Sequence, residues 1–260
     1  MITHQLSQVE ELKKLLVKQK EQMFSTENSQ KLIAAWDLDG TIIKGDITEG
    51  YHKSSKDDYQ GLMESLVLEG TFPQFSGKGG LELFWQQYKE QDSSKALLFV
   101  AEFFDHMDEQ TTKFVCQFCQ DLIENELHRY YYPQAIDLLY YLEDLGVENY
   151  IISASPHMIV QQVHSSLPIK KENLWGIDAA RLQTDPGYFL NYGEGKKSNL
   201  LSILKREKAH LFFSAGNDWV SDGPMIRLAC EHGGVGLFVG EEEKSLASHH
   251  EESLVKIRFN

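Results

Sequence analysis

Cysteine is scarce in this 260-residue chain, which has three, an odd number. That leaves no disulfide framework of the kind that staples small secreted domains, and it fits a reducing compartment. Cys116 and Cys119 form one C-x-x-C, but no second pair completes a zinc site and no strand precedes it. The surrounding Phe114-Val115-Cys116-Gln117-Phe118-Cys119 has helical character, so the two cysteines read as small apolar residues on one helix face. Basic residues are also in deficit, 25 against 39 acidic, for a net charge of -14. That balance argues against a nucleic-acid partner, because contacts to a phosphate backbone need a basic surface. It does not exclude small phosphorylated substrates, whose charge a metal and one lysine can handle locally. Long apolar runs are missing as well: a run such as Ala96 to Ala101 is far too short to span a bilayer. The first residues lack the apolar core of a secretory signal. The expectation is a soluble, cytoplasmic protein with no integral membrane segment. Internal repeats are absent too.

What is present suffices for a full core, with 42% hydrophobic and 25% charged residues, arranged as one large domain with an insertion. One stretch organises the rest: Ile33-Ala34-Ala35-Trp36-Asp37-Leu38-Asp39-Gly40-Thr41. Small and apolar residues in a continuous run describe a central parallel strand covered on both faces. Asp37 and Asp39 follow two apart, so in extended backbone they point to the same side. Two such carboxylates repel unless a cation neutralises them, and hard oxygen donors suit magnesium better than zinc.

Ahead of that strand, residues 5–24 have the spacing of an amphipathic helix, with Leu6, Val9, Leu12, Leu15, Leu16 and Met23 on one side and Ser7 as its cap. It is expected to pack outside the sheet. Lys13, Lys14, Lys18 and Lys20 allow a second reading as a membrane-surface or partner helix. After a polar link at 25–31 and the first strand, Asp46 and Glu49 fit a capping box. From there to about residue 129 the pattern is helical and aromatic-rich, without strand alternation. Gly77-Lys78-Gly79-Gly80 lacks phosphate-loop spacing and reads as a turn. Alternation resumes with a helix at 134–145 closed by Gly146, a strand at 150–152, and a helix at 157–166 capped by Ser155 with Pro156 in its first turn. Then come a strand near 175–182, a turn at 184–187, a helix opening at 195–197, a strand at 211–213, a helix at 223–231 and a strand at 235–239. The expected division is 1–31 as helix and link, 32–46 with 130–240 as the core, 47–129 as an inserted helical cap, and 241–260 as an acidic, poorly packed tail.

Alternating strands and helices imply a parallel sheet, whose ligands bind beyond the carboxyl ends of the strands. Asp37 with Asp39, Ser153, Lys196, and Asp218 with Asp222 all fall at such ends or at adjacent helix starts. Singly, a serine there is usually a cap and a lysine usually a solvated surface residue. In this order they make one coherent phosphoryl-transfer site. Asp37-Leu38-Asp39-Gly40-Thr41, Ser153, Lys196 and Gly216-Asn217-Asp218-Trp219-Val220-Ser221-Asp222 resemble the four motifs of the haloacid dehalogenase (HAD) superfamily, over about residues 32–240.

The resemblance implies an α/β fold: a Rossmann-like, doubly wound parallel sheet ordered 3-2-1-4-5, with a helical cap inserted after the first strand. It implies a magnesium-dependent phosphatase acting through an aspartyl-phosphate. In that scheme Asp37 is the nucleophile and Asp39 the general acid and base. Ser153 and Ala154 hold phosphoryl oxygens, and Lys196 neutralises charge, or Lys197 if the register slips by one. Asp37, the backbone carbonyl of Asp39, and Asp218 hold the metal. Asp222 orients a metal-bound water or pairs with Lys196. The dehalogenase branch lacks the second carboxylate, so Asp39 favours phosphoryl transfer. Asn217 departs from the pattern, standing where relatives often have glycine. Within the superfamily the chain most resembles the phosphoserine phosphatase-like group, including phosphorylcholine phosphatase-type members, on Lys44–Glu49, Ser153–Pro156, Gly193–Lys196 and Asp222–Met225. In that group an acidic residue at the Asp46 or Glu49 position meets the substrate's ammonium, so either these residues read the substrate, a small amine-bearing phosphomonoester, or they only start a helix. Trp85 and Tyr88 could add a cation-binding wall, or simply be core. Two alternatives remain: a phosphotyrosine-type protein phosphatase with an open site, and a non-catalytic binding module, which would require a lost catalytic residue where none is missing.

Overall fold

The computed structural model describes residues 2–23, 31–53, 58–77, 79–105, 107–240 and 253–259. Helix α1 (Ile2–Met23) precedes strand β1 (Lys31–Trp36), and a short hairpin follows, β2 (Gly50–Tyr51) with β3 (Tyr59–Gln60). Then come α2 (Leu62–Leu68), α3 (Gly80–Lys89), α4 (Ser93–Asp105), α5 (Glu109–Asn125) and α6 (Pro133–Asp144). The second half alternates: β4 (Val147–Pro156), α7 (His157–Val160), β5 (Leu174–Ile177), α8 (Ala179–Thr184), α9 (Glu194–Glu207), β6 (Ala209–Gly216), α10 (Gly223–Glu231), β7 (Val235–Val239) and β8 (Leu254–Ile257).

The main sheet runs β5-β4-β1-β6-β7-β8, with every pairing parallel. Counted along its own strands this is the expected 3-2-1-4-5 order with a sixth strand added. Strand β1 lies at its centre because it can be buried on both faces. Ile33 and Ala35 pack with Leu200 and Ile203 of α9 and with Met225 and Leu228 of α10. Leu32, Ala34 and Trp36 join the opposite layer with Leu12 and Leu16 of α1 and Leu138 of α6. The buried indole of Trp36 donates to Asn149 Oδ1 at 3.0 Å, so its polar edge is not left unsatisfied.

Several expectations are corrected. The tail is not all loosely packed: β8 pairs with β7, and Ile257 and Phe259 are buried. The alternation there is only four residues long and follows an acidic run, which hides it; residues 241–252 lie outside the described residues. The insertion does carry strands, the two-residue pair β2–β3, too short to show a period. Helix α1 begins before Ser7, which is therefore internal and not a cap. Its lysines serve the fold: Lys13 pairs with Asp137 at 2.7 Å and stands over the Tyr141 ring, and Lys20 donates to the Leu145 carbonyl. The link at 24–30 and Lys78 lie outside the described residues. Strand β5 stops at Ile177, because Asp178 accepts from Arg181 N–H and starts α8. The helix after β4 is α-helical only to Val160 and continues as a 3₁₀ segment to Ser165. Cys116 and Cys119 sit on α5. No helix among the described residues is long and apolar enough to cross a membrane.

The terminal strand gives a first test. Ile257→Val should lower stability by about 0.5–1.5 kcal/mol, the usual cost of deleting one buried methylene. A urea midpoint unchanged from wild type would mean that β8 is not part of the cooperative core.

Candidate active site

Strand β1 ends at Trp36, and Asp37 N–H donates to the Ala215 carbonyl of β6 at 2.9 Å, which places the carboxylate between the two central strand tips. Thr41 Oγ1 donates to Asp37 Oδ2 at 3.1 Å. Lys196, in the first turn of α9, donates to Asp37 Oδ1 at 2.6 Å and to Asp222 Oδ1 at 2.7 Å. All three side chains are buried, at 5% exposure for Asp37, 0% for Lys196 and 1% for Asp222. Burial opposes the charge on Lys196, but Asp222 and Asp37 outweigh it and hold the ammonium above its ordinary range. Burial, and then the charge of Asp222, push Asp37 up to about 8 against the pull of Lys196. Lys197 turns away to Glu231, 3.8 Å distant, so the register question resolves to Lys196. Of the two roles open to Asp222, the pairing with Lys196 is the one formed.

Asp39 is half-buried and fully engaged. Its Oδ1 accepts from Ile47 N–H at 2.6 Å, and its Oδ2 from Ser155 Oγ at 2.8 Å and Ser153 Oγ at 3.3 Å. Burial raises its pKa, and the bond from Ile47, followed by that from Ser155, holds the rise back. Ser153 is completely buried and also accepts from Ser155 N–H at 2.9 Å. It stands behind the cavity, whose wall here is Ala154, Ser155 and Pro156. Ser155 was expected to cap a helix, yet α7 has no side-chain cap. Its hydroxyl instead bridges Asp39 and Thr48 Oγ1, the latter at 2.9 Å. The Ser-x-Ser spacing at a strand end was the available signal, since both side chains then face one side.

Gly216 closes β6 because Asp222 packs on it: a Cβ there would lie 2.3 Å from Asp222 Cβ. Asp222 Oδ2 accepts from the N–H groups of Asn217 and Asp218, each at 3.0 Å. Asp218 lines the cavity but is exposed, and its Oδ1 accepts from Val220 N–H at 2.7 Å and Ser221 N–H at 3.3 Å. The side chain that does face Asp37 Oδ2 and the Asp39 carbonyl is that of Asn217. Among the described residues no three His, Cys, Asp or Glu side chains are grouped to hold a metal. A hard cation nevertheless fits at Asp37 Oδ2 and the Asp39 carbonyl. The donors there are oxygens, and the two carboxylates paired with Lys196, Asp37 and Asp222, together with Asp39 beside them, outnumber that one ammonium.

Asp46 and Glu49 start no helix. Asp46 Oδ1 accepts from Thr48 N–H at 2.7 Å and Glu49 N–H at 2.8 Å, but the chain turns back so that Asp46 pairs with Gly50 and enters β2. The capping box is thus an Asx turn. Glu49 accepts from the Tyr88 hydroxyl of α3 and does not reach back to Asp46. Both acids line the same cavity as Asp37 and Asp39, about 260 Å³ in volume, with Tyr88, and with Leu97 and Val100 of α4. Burial, then the charges of Asp39 and Glu49, raises Asp46 well above the ordinary carboxylate range, and burial raises Glu49. Trp85 lies outside this wall, in an aromatic cluster 5.0 Å from Phe84 between ring centroids.

Residues 34–209, more than half of the chain, match the haloacid dehalogenase-like hydrolases, and the chain belongs to that family. Solved structures that share its fold include two of unassigned role. One is a protein of unknown function from Bordetella pertussis Tohama I, 12% identical, with a TM-score of 0.60 over 88% of this chain and 99% of that one. The other, a functionally unknown conserved protein from Anaerococcus prevotii DSM 20548, is 18% identical, with a TM-score of 0.52 over 90% of this chain and 85% of that one. At such identities the likeness carries the fold alone. No curated protein matches the sequence.

Proposed function

We propose that this hydrolase is a magnesium-dependent phosphomonoesterase acting through an aspartyl-phosphate, with a small amine-bearing phosphate ester as substrate. The observation that carries this reading is the polarity of the cavity. Asp37, Asp39, Asp46 and Glu49 all line it, and among the described residues no lysine or arginine does. Asp37 attacks phosphorus, forming an acyl-phosphate bond as the ester P–O bond breaks. The leaving oxygen takes a proton from Asp39, whose raised pKa suits a general acid. Asp39, then ionised, takes a proton from the water that hydrolyses the intermediate. Lys196 keeps Asp37 aimed and balances charge. The Ala154 and Ser155 wall faces the phosphoryl oxygens, while Ser153, expected to hold them, is buried behind that wall and bonds Asp39 instead. Asp37 and the Asp39 carbonyl would hold magnesium, whose charge would offset that on the transferring group. The substrate's ammonium would pair with Asp46 and Glu49, two carboxylates that burial leaves short of a cation.

A phosphotyrosine-type protein phosphatase is the second reading. The small cavity walled by Tyr88, Leu97 and Val100 favours a small molecule over a protein side chain. The test is phosphate release, with and without magnesium, from phosphoserine, phosphocholine, phosphoethanolamine, sugar phosphates and phosphotyrosine peptides. Preference for the amine esters supports the proposal; release from the peptides alone selects the second reading, and release from none sinks both.

Asp46→Asn and Glu49→Gln should each raise KM for the amine ester roughly tenfold, the size of one charge-assisted contact of about 1.4 kcal/mol. KM for a neutral aryl phosphate should stay within about twofold. Equal effects on both would leave these acids a structural role only. Asp46→Asn also carries a stability signature. The folded pKa of Asp46 is raised, so the folded state keeps a proton that the unfolded chain has released, and stability falls as pH climbs above the ordinary carboxylate range. The asparagine keeps the acceptor for Thr48 and Glu49 without that titration. Its melting temperature should therefore exceed wild type at neutral pH by about 2–4 °C per kcal/mol gained. The gain should vanish below about pH 4, where aspartate is neutral in both states.

A further inference from the structure

We propose that Asn217 supplies the third protein oxygen of the metal site, in place of the Asp218 carboxylate; the inference rests on the magnesium-dependent reading above. Asn217 follows Gly216 at the tip of β6, and its N–H is fixed by Asp222 Oδ2 at 3.0 Å. From there its amide projects between the tips of β1 and β6. One end of that amide lies 2.8 Å from the Asp39 carbonyl oxygen, 3.2 Å from Asp37 Oδ2 and 3.2 Å from Thr41 Oγ1. The space it occupies is built for it. Gly40 adopts φ +73°, and a Cβ there would come within 2.1 Å of the Asn217 amide. A side chain at position 40 would be both strained and in collision.

An amide can present either end to these oxygens. With nitrogen inward, it donates to Asp39, Asp37 and Thr41 and stands in for a cation beside a carboxylate that otherwise has only Lys196 and Thr41. With oxygen inward, Asn217 Oδ1 lies 2.8 Å from the Asp39 carbonyl oxygen and 3.2 Å from Asp37 Oδ2, and accepts from Thr41 Oγ1 at 3.2 Å. Magnesium binds oxygen at 2.0–2.1 Å in near-ideal octahedral geometry, which puts neighbouring ligands about 2.9 Å apart. The two distances from Asn217 to the Asp39 carbonyl and to Asp37 Oδ2, 2.8 and 3.2 Å, bracket that separation, so an inward amide oxygen needs no rebuilding of the loop to join them at an ion. Asp218 lines the same cavity, but its Oδ1 is engaged by Val220 and Ser221 N–H groups and its side chain is exposed. Asn217 thus acts as a swivel, donating through nitrogen in the metal-free protein and ligating through oxygen in the loaded one. The ligand set then holds one carboxylate and two neutral oxygens, so it binds the ion more weakly than a two-carboxylate set would.

The test is magnesium titration of the full chain by calorimetry, together with the Asn217 side-chain NH₂ resonances in ¹⁵N-labelled protein. Asn217→Asp should bind magnesium roughly tenfold or more tightly, by adding a charged ligand. Asn217→Ala should bind roughly tenfold more weakly, and Asp218→Asn, which keeps an acceptor for Val220 and Ser221, within about threefold of wild type. In the wild type the Asn217 NH₂ pair should shift on saturation, as its nitrogen leaves Asp37 and Asp39. Circular dichroism checks that each variant is folded, and the Asn217→Asp and NMR arms stand even if the alanine variant is not. Wild-type binding that is unchanged in Asn217→Asp but lost in Asp218→Asn would overturn the assignment while leaving magnesium dependence intact. A folded wild type that binds no magnesium would overturn both.

Discussion

Asp37→Asn is expected to reduce phosphate release by more than about 10³-fold, the scale on which removal of a nucleophile acts, while the protein stays folded. The exchange preserves shape, and the amide oxygen can still accept from Lys196 while the amide nitrogen donates to Thr41 Oγ1, but it cannot form the acyl-phosphate bond. Stability is not expected to suffer, because Asp37 is a carboxylate that burial and the Asp222 charge push up to about 8. A neutral group at this position removes that penalty, and Lys196 keeps Asp222 as its partner at 2.7 Å. Acid quenching during turnover should leave a phosphoryl adduct on the wild type, detectable by mass spectrometry, and none on the variant. A variant that keeps wild-type release would mean that Asp37 is no nucleophile and that the site works by another route.

The central strand was legible from its local signature, and the site residues from their order along the chain, since singly each is weak. Ile33 to Trp36 can only be a strand buried on both faces, and glycine and proline marks at Gly146, Pro156 and Pro224 punctuate the alternation after it. Where local signatures are shared, reading fails. Asp46 has the same side-chain bonds to backbone N–H groups two and three residues on that a helix cap makes. Whether a helix or a hairpin follows depends on Gly50 pairing back, which is decided beyond the window. Ser155 stands before Pro156 as a cap would, but the approach of Asp39 and Thr48 gives its hydroxyl other partners. Lys196 and Lys197 are indistinguishable by type; the start of α9 after Gly193, at φ 56°, decides which one faces Asp37. The place of Asn217 needs three distant segments at once, with Gly40 opening the space that the tip of β6 fills. No pattern along one segment carries that information.

Lys196→Met should show what holds those segments together. Methionine fills nearly the same volume but leaves Asp37 and Asp222, both buried, facing each other without the ammonium between them. Removing one partner of a buried ion pair costs about 3–5 kcal/mol, because the remaining charge has neither water nor a counter-ion. For a chain of this size that is a fall in melting temperature on the order of 10 °C, beyond any loss of activity. Adding Asp222→Asn should recover part of it. The amide oxygen can keep the N–H groups of Asn217 and Asp218, and the amide nitrogen can turn toward Asp37 as a donor. The double variant should therefore be more stable than Lys196→Met alone, by a coupling of about 0.5–3 kcal/mol, read from urea midpoints at constant slope. The pH dependence has a definite sign. As pH falls Asp37, already pushed up by burial and by Asp222, takes up a proton and the repulsion disappears, so the gap between Lys196→Met and wild type should narrow toward pH 4 and widen toward pH 8. A gap that stays flat across that range would mean that Lys196 acts by packing and not by charge.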